Sequence, residues 1–279
     1  MNWFWQIFDP AVISAFFTQF QAEMQQPTFW VALGKIMWIN ILLSGDNALV
    51  IAMACRGLPP RQRLWGMILG AGVAVFLRII FTGIVVSLMA LPFLKLIGGL
   101  ALLYIAAKLL VPENEGESET DAAAHLWAAV RIVAIADIVM SLDNVIAVAA
   151  AANGSIPLLV IGLAISVPLI VAGAALIMAL LTRLPALVWA GAGLLGWIAG
   201  EVMATDPVVV PILRGLSDGP VGVALDKMFS PIGLHFANGG HGAEVVCGII
   251  GIIIVLVVGS MWRKSAQEKH AAEHAAKAA

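Results

Sequence analysis

The chain has 279 residues, of which 61% are hydrophobic and only 11% charged, with a formal net charge of -2 and a mean hydropathy of +0.99. A water-soluble core cannot hide that much apolar surface, so an ordinary globular domain is excluded and an integral membrane protein is indicated. The basic residues are few and scattered, which leaves no patch for nucleic acid; Cys55 and Cys247 lie in apolar runs without CxxC spacing, so neither a disulfide framework nor a thiolate metal site is suggested.

Residues 1–28 lack the basic stretch and small-residue cleavage site of a signal peptide. Trp3, Phe4, Trp5, Phe16, Phe17 and Phe20 stand there beside Gln and Asp, which suits a helix lying in the membrane interface. A hydrocarbon core of about 30 Å needs roughly 20 apolar residues per spanning helix. Seven such runs follow: Phe29 to Cys55, Leu64 to Leu91, Phe93 to Val111, Leu126 to Ala152, Ile156 to Leu181, Leu187 to Met203 and Ala243 to Trp262. The fold class is therefore all-α, a polytopic bundle of about seven transmembrane helices. Its segments are an interfacial stretch (1–28), a first three-helix unit (29–111), an acidic loop (112–125), a second three-helix unit (126–203), an external segment (204–242), the seventh helix (243–262) and a tail (263–279).

Arg56, Arg61 and Arg63 crowd the first connection, Arg183 sits in the fifth, and Arg263 and Lys264 follow the last helix. The positive-inside rule places these in the cytoplasm, with the N-terminus outside and the C-terminus inside. The acidic run from Pro112 to Asp121 then reads as a solvated cytoplasmic linker. The segment 204–242 is too long for a bare loop in a compact domain and should contain short helices.

A repeat runs through the chain. Asn40-x3-Ser44-Gly-Asp46-Asn47 recurs as Asp137-x3-Ser141-Leu-Asp143-Asn144, and Gly57 and Gly154 each follow ten residues later. Gly98 to Lys108 matches Gly191 to Glu201 after a small shift, so each unit spans three helices. An odd number of crossings inverts the second unit, a plan in which transporters hold substrate at the interface between halves.

The repeated motifs put Asp46 and Asp143 near the middle of the first and fourth helices, where a carboxylate costs about 2.5 to 3.5 kcal/mol on insertion scales. On an unbroken helix Asn40, Ser44 and Asn47 share one face, and Asp137, Ser141 and Asn144 copy it. Two such faces brought together present carboxylates, amide carbonyls and hydroxyls, an all-oxygen set that favours hard cations such as Mg²⁺, Ca²⁺ or Mn²⁺. The metal-site residues are Asp46, Asp143, Asn47, Asn144, Asp137 and Asn40, with Ser44, Ser141, Arg78 and Glu201 in a second tier. Each acid also has a structural reading as the partner of a buried cation, and Arg131 lies six residues from Asp137. Arg78, central in the second helix, is a counter-ion for the aspartates when metal is absent. Lys108 and Glu201 stand near helix ends, where snorkelling explains them, and Met37, Met53 and Met140 read as packing. Ser44-Gly45 is a break signal for the first helix; the second motif carries Leu142 instead of glycine, a weaker signal.

No GxxxxGK loop is present, so a transporter without its own ATPase, and not an enzyme, is expected, with no cofactor. Moving a divalent cation outward against 100 mV costs about 4.6 kcal/mol, at about 2.3 per charge, so something must return inward. Proton exchange is the simple expectation, because carboxylate ligands must lose protons to bind metal.

The two motifs, Asn40-Ile-Leu-Leu-Ser44-Gly45-Asp46-Asn47 with Ala48 to Ala52 after it and Asp137-Ile-Val-Met-Ser141-Leu-Asp143-Asn144, resemble those of the TerC family of bacterial membrane proteins over about residues 29 to 262. That family is associated with manganese export and homeostasis and, historically, tellurium resistance, within a superfamily that includes lysine exporters. The resemblance implies Mn²⁺ efflux across the bacterial inner membrane, with Asn40, Asp46, Asn47, Asp137, Asp143 and Asn144 as the site. The partners expected are the transported cation and the lipid bilayer. Two other readings stand beside it: export of Ca²⁺ or a small organic cation, since paired acids also attract an ammonium, and a non-transporting membrane scaffold whose buried acids are structural.

Overall fold

The structure is a computed structural model that describes residues 10–43, 45–82, 91–111, 119–152, 155–229 and 242–278; every regular element among them is an α-helix. In chain order these are α1 (Pro10–Met24), α2 (Pro27–Leu43), α3 (Gly45–Ala54), α4 (Pro60–Thr82), α5 (Leu94–Lys108), α6 (Glu119–Ala152), α7 (Ile156–Arg183), α8 (Ala186–Ala204), α9 (Val209–Ser217), α10 (Pro220–Phe229) and α11 (Gly242–Ala278). Four of them begin on proline, whose missing N–H costs nothing in the first turn and whose fixed φ already suits a helix. At the start of α7 the Ser155 hydroxyl accepts from the Leu158 N–H at 3.1 Å, and Pro157 completes that start.

The helices α4, α7, α8 and the part of α11 within Gly242–Lys269 are long and apolar enough to cross a membrane. Two further spans are bent. Pro27–Asn40 and Gly45–Ala54 meet at 52°, and within α6 His125–Ser141 and Asn144–Ala152 meet at 68°. The described residues thus hold four spans, or six if each bent pair counts as one, where the sequence led us to expect seven. The difference is α5: its 15 residues reach about 22 Å at 1.5 Å per residue, short of a hydrocarbon core. The 204–242 segment contains α9 and α10; α9 buries none of its residues and leaves Ile212 and Leu216 exposed.

The bent first span, α2 with α3, packs on α7, and the bent α6 packs on α4; α4 and α7 also touch each other. Pairing of α5 with α8, α5 with α6 and α3 with α8 closes the bundle, and α11 lies along α8 and α5. The α8–α11 contact is the most intimate. A Cβ on Gly200 would stand 2.1 Å from the Cys247 carbonyl oxygen, and one on Gly251 2.0 Å from that of Gly196, so only glycine lets these backbones meet.

At one end of α5 a single carboxylate ties the bundle together. Asp206, fully buried in the turn after α8, accepts from the backbone N–H of Phe93 at 3.2 Å and of Leu96 at 3.0 Å, and also from its own Val208 at 2.9 Å. It caps α5 from another part of the chain, satisfying N–H groups that a helix start leaves free. Phe93, at that cap, is the one non-glycine residue with positive φ (66°) among the described residues. Burial alone would raise the Asp206 pKa; the N–H groups of Val208, Leu96, Phe93 and Lys95 outweigh it and hold the carboxyl below its ordinary value. Buried Lys95 donates from Nζ to the Thr205 hydroxyl at 3.3 Å across the same junction.

Candidate metal-ion site

The two sequence motifs come together at the two bends. Asp46 and Asn47 form the first turn of α3, immediately after the first break, and Asn144 begins the second part of α6 after the second. Both motif asparagines aim at one group. The Leu43 carbonyl, last of α2, accepts from Asn47 Nδ2 at 3.1 Å and from Asn144 Nδ2 at 3.5 Å. A carbonyl at an interrupted helix has lost its own i+4 partner, and the two side-chain amides serve it instead.

The Asp46 carboxylate accepts from the Asn47 backbone N–H at 2.8 Å, a local arrangement that turns its charge toward the start of α3, where the helix dipole favours it. Half-buried Asp46 also lies within Coulombic reach of Arg78 and Asp137. Asn47 is 4% exposed, and its Oδ1 has no hydrogen-bond partner among the described residues. Beside it is a cavity of about 10 Å³, lined by Asn47, Asp137, Met140, Ile51, Val133 and Ile170 among others, at the lower limit for one water. A buried amide oxygen without a donor is expensive, and Asn47 and Asp137 both line this small cavity.

The Asp137 carboxylate is held by Arg78. The guanidinium bridges Asp137 Oδ1 through Nη2, reaches Asp137 Oδ2 from Nε at 3.3 Å and donates from the same Nε to the Ser141 hydroxyl at 2.9 Å. Arg78 is 3% exposed and Asp137 4%, so the pair is fully withdrawn from solvent. The partner of Asp137 is therefore Arg78 from α4, not Arg131, which is exposed. Asn40, at the repeat position equivalent to Asp137, does something different: its Nδ2 donates to the Gly162 carbonyl at 3.3 Å, binding α2 to α7.

Asp46, Asn47, Asn144, Asp137, Ser141 and Arg78 are thus gathered around the breaks, while Asn40, at the end of the first half-span, donates to Gly162 of α7. Ser44 and the side chain of Asp143 lie outside the described residues. Glu201, half-buried near the end of α8 that leads to Asp206, does not line the cavity. Among the described residues no three His, Cys, Asp or Glu side chains converge; besides carboxylates they offer amide, hydroxyl and carbonyl oxygens. Reasoning from residue types alone missed the Leu43 carbonyl, which carries no side-chain signal, and Asp206. The Asp206-Pro207 pair, a turn and cap signature, would have pointed to the latter.

Residues 25–268 match the model of the Integral membrane protein TerC family. The chain belongs to this family. Among similar proteins, the membrane protein YjbE of Bacillus subtilis is 45% identical over 178 residues, 64% of this chain and 81% of YjbE. YceF of the same organism is 30% identical over 148 residues, 50% of this chain and 57% of YceF. The inner membrane protein YgdQ of Escherichia coli is 31% identical over 143 residues, 45% of this chain and 60% of YgdQ, so against these two the shared part is little more than half of each relative. No solved structure matches. TerC membership and the apolar helices together make this a multi-pass integral membrane protein.

Proposed function

We propose that this TerC protein transports a hard divalent cation, with Mn²⁺ the favoured cargo, outward across the bacterial inner membrane in exchange for protons. The observation that carries this reading is the meeting of both motifs at one interrupted helix: Asn47 and Asn144 converge on the Leu43 carbonyl, with Asp46 and Asp137 within electrostatic reach of each other. Interrupted helices expose carbonyls and helix ends inside the bilayer, and transporters use them to coordinate ions near the midplane. The oxygens on offer are Asp46, Asp137, the orphan Asn47 Oδ1, Ser141 Oγ and the Leu43 carbonyl, a hard set suited to Mn²⁺ and its like.

In the described state the charge of Asp137 is answered by Arg78, and the cavity beside it is too small for a cation with a full ligand shell. Metal entry requires Arg78 to swing off Asp137, and the two motif bends are where the helices can part. The pairing of the bent first span with α7 and of the bent α6 with α4 supports the inverted-repeat reading, because exchanging the two halves leaves these contacts in place. The N-terminus outside and C-terminus inside follow from the basic connections and take the short α5 as a seventh, thinner crossing.

A second reading, export of a small organic cation, draws on one observation: a guanidinium already sits between Asp137 and Ser141. Thermal stabilisation of the purified protein by Mn²⁺ and not by lysine separates the two. Metal content of cells lacking and overexpressing the protein tests the main proposal, with Asp46→Asn and Asp143→Asn as controls. Overexpression lowers intracellular manganese and each variant reverses the effect; unchanged manganese at equal protein levels refutes it.

A further inference from the structure

Away from the motifs, α8 and α11 touch backbone to backbone at Gly196, Gly200 and Gly251. Beside this contact lies a crevice of about 500 Å³ lined by Trp189, Gly193, Leu194, Trp197, Ile252 and Leu256. Its walls are almost wholly apolar, and both helices that form it meet the length and hydropathy of membrane spans, so it opens onto the acyl-chain region of a bilayer. A Cβ on Gly193 would be only in ordinary contact with Ile252, at 3.7 Å, so glycine here leaves space and is not forced by a close approach.

The mouth of the crevice is positively charged. Arg263 of α11 lies over the Trp189 ring, with its guanidinium carbon 5.5 Å from the ring centroid. Trp262 packs edge-on against Tyr104 beside it, the aromatic composition that marks the membrane–water boundary. A cation–π contact engages the charge of a guanidinium and leaves its N–H groups available to an acceptor. Half-buried Arg263 has no carboxylate partner among the described residues. A fork of free donors at headgroup level, above an apolar slot at chain level, matches one ligand chemistry: a phosphate joined to an acyl chain.

We propose that the α8–α11 crevice is an anionic-phospholipid site, with one acyl chain lying along Trp197, Gly193 and Leu256 and the headgroup phosphate accepting from Arg263. The site is separate from the motif residues and stands whether or not the transport reading does.

Native mass spectrometry of the purified, full-length protein with phosphatidylglycerol or phosphatidylcholine of identical chains tests this. The wild-type protein should retain one phosphatidylglycerol about tenfold more tightly than phosphatidylcholine, whose choline cation offsets the phosphate charge that Arg263 meets. Arg263→Gln should erase that preference while leaving chain binding. Gly193→Leu should remove both lipids, and Ala190→Leu, on the same wall, makes the same test if the first variant does not assemble. Millimolar inorganic phosphate should not displace the lipid. Equal retention of the two lipids by the wild type, an intact preference in Arg263→Gln, unchanged retention in both filled-crevice variants, or displacement by phosphate alone would overturn the assignment.

Discussion

Asn47 and Asn144, which occupy equivalent places in the two halves of the chain, donate to the same Leu43 carbonyl, at 3.1 and 3.5 Å. The contact at 3.1 Å is the stronger of the two by geometry. Asn47→Ala should therefore cost about 1 kcal/mol of stability and Asn144→Ala measurably less. Thermal unfolding of both variants in detergent, side by side, reads that order.

The Arg78–Asp137 pair gives a sharper test. Both side chains are buried, so Arg78→Gln or Asp137→Asn alone leaves one uncompensated charge and should destabilise by about 3–5 kcal/mol. The double variant should recover much of that loss, because two neutral amides replace the pair. A double-mutant cycle on unfolding midpoints would show coupling above ~1 kcal/mol; additive losses would mean the pair is not formed.

Asp206 predicts a pH dependence. Its folded pKa lies below the unfolded value of about 3.9, so its stabilisation is fully present above that value and is lost as pH falls through the folded pKa. Removing this cap by Asp206→Ala should cost about 1–2 kcal/mol at neutral pH and flatten the acid limb of the stability profile. Unfolding temperatures between pH 7 and pH 3, wild type against variant, measure both effects.

Glycines in the two halves of the bundle should respond in opposite ways. Among the described residues nothing lies within 4 Å of a Cβ on Gly45, whereas one on Gly200 meets the Cys247 carbonyl oxygen at 2.1 Å. Gly45→Ala should assemble normally. Gly200→Ala should force α8 and α11 apart at a cost of about 1–3 kcal/mol, seen as a lower unfolding temperature and reduced yield.

The parts of this molecule that were readable in the sequence are those set by local chemistry. The apolar runs announce the helices, and Gly45 announces a break beside Asp46. The second bend carries Leu142 where the first has glycine, and yet it is the sharper, 68° against 52°; a polar stretch flanked by Ser141 and Asn144 interrupts a helix without any glycine. Arg78 was visible as a buried charge, but its choice of Asp137 spans 59 residues of sequence and depends on how α4 lies on α6, which no local pattern records. Nearness in sequence favoured Arg131, six residues from Asp137, and a six-residue step puts the two on different faces of a helix. The short α5 shows the same limit from the other side: a run apolar enough to count as a span yields a 15-residue helix, capped from afar by Asp206.

Mn²⁺ flux into proteoliposomes containing only the purified protein tests the central claim most directly. We expect time-dependent Mn²⁺ movement that responds to an imposed pH gradient and falls at least tenfold in Asp46→Asn, with the variant as well folded as the wild type. Flux absent from the wild type, or equal in wild type and Asp46→Asn, would contradict the account.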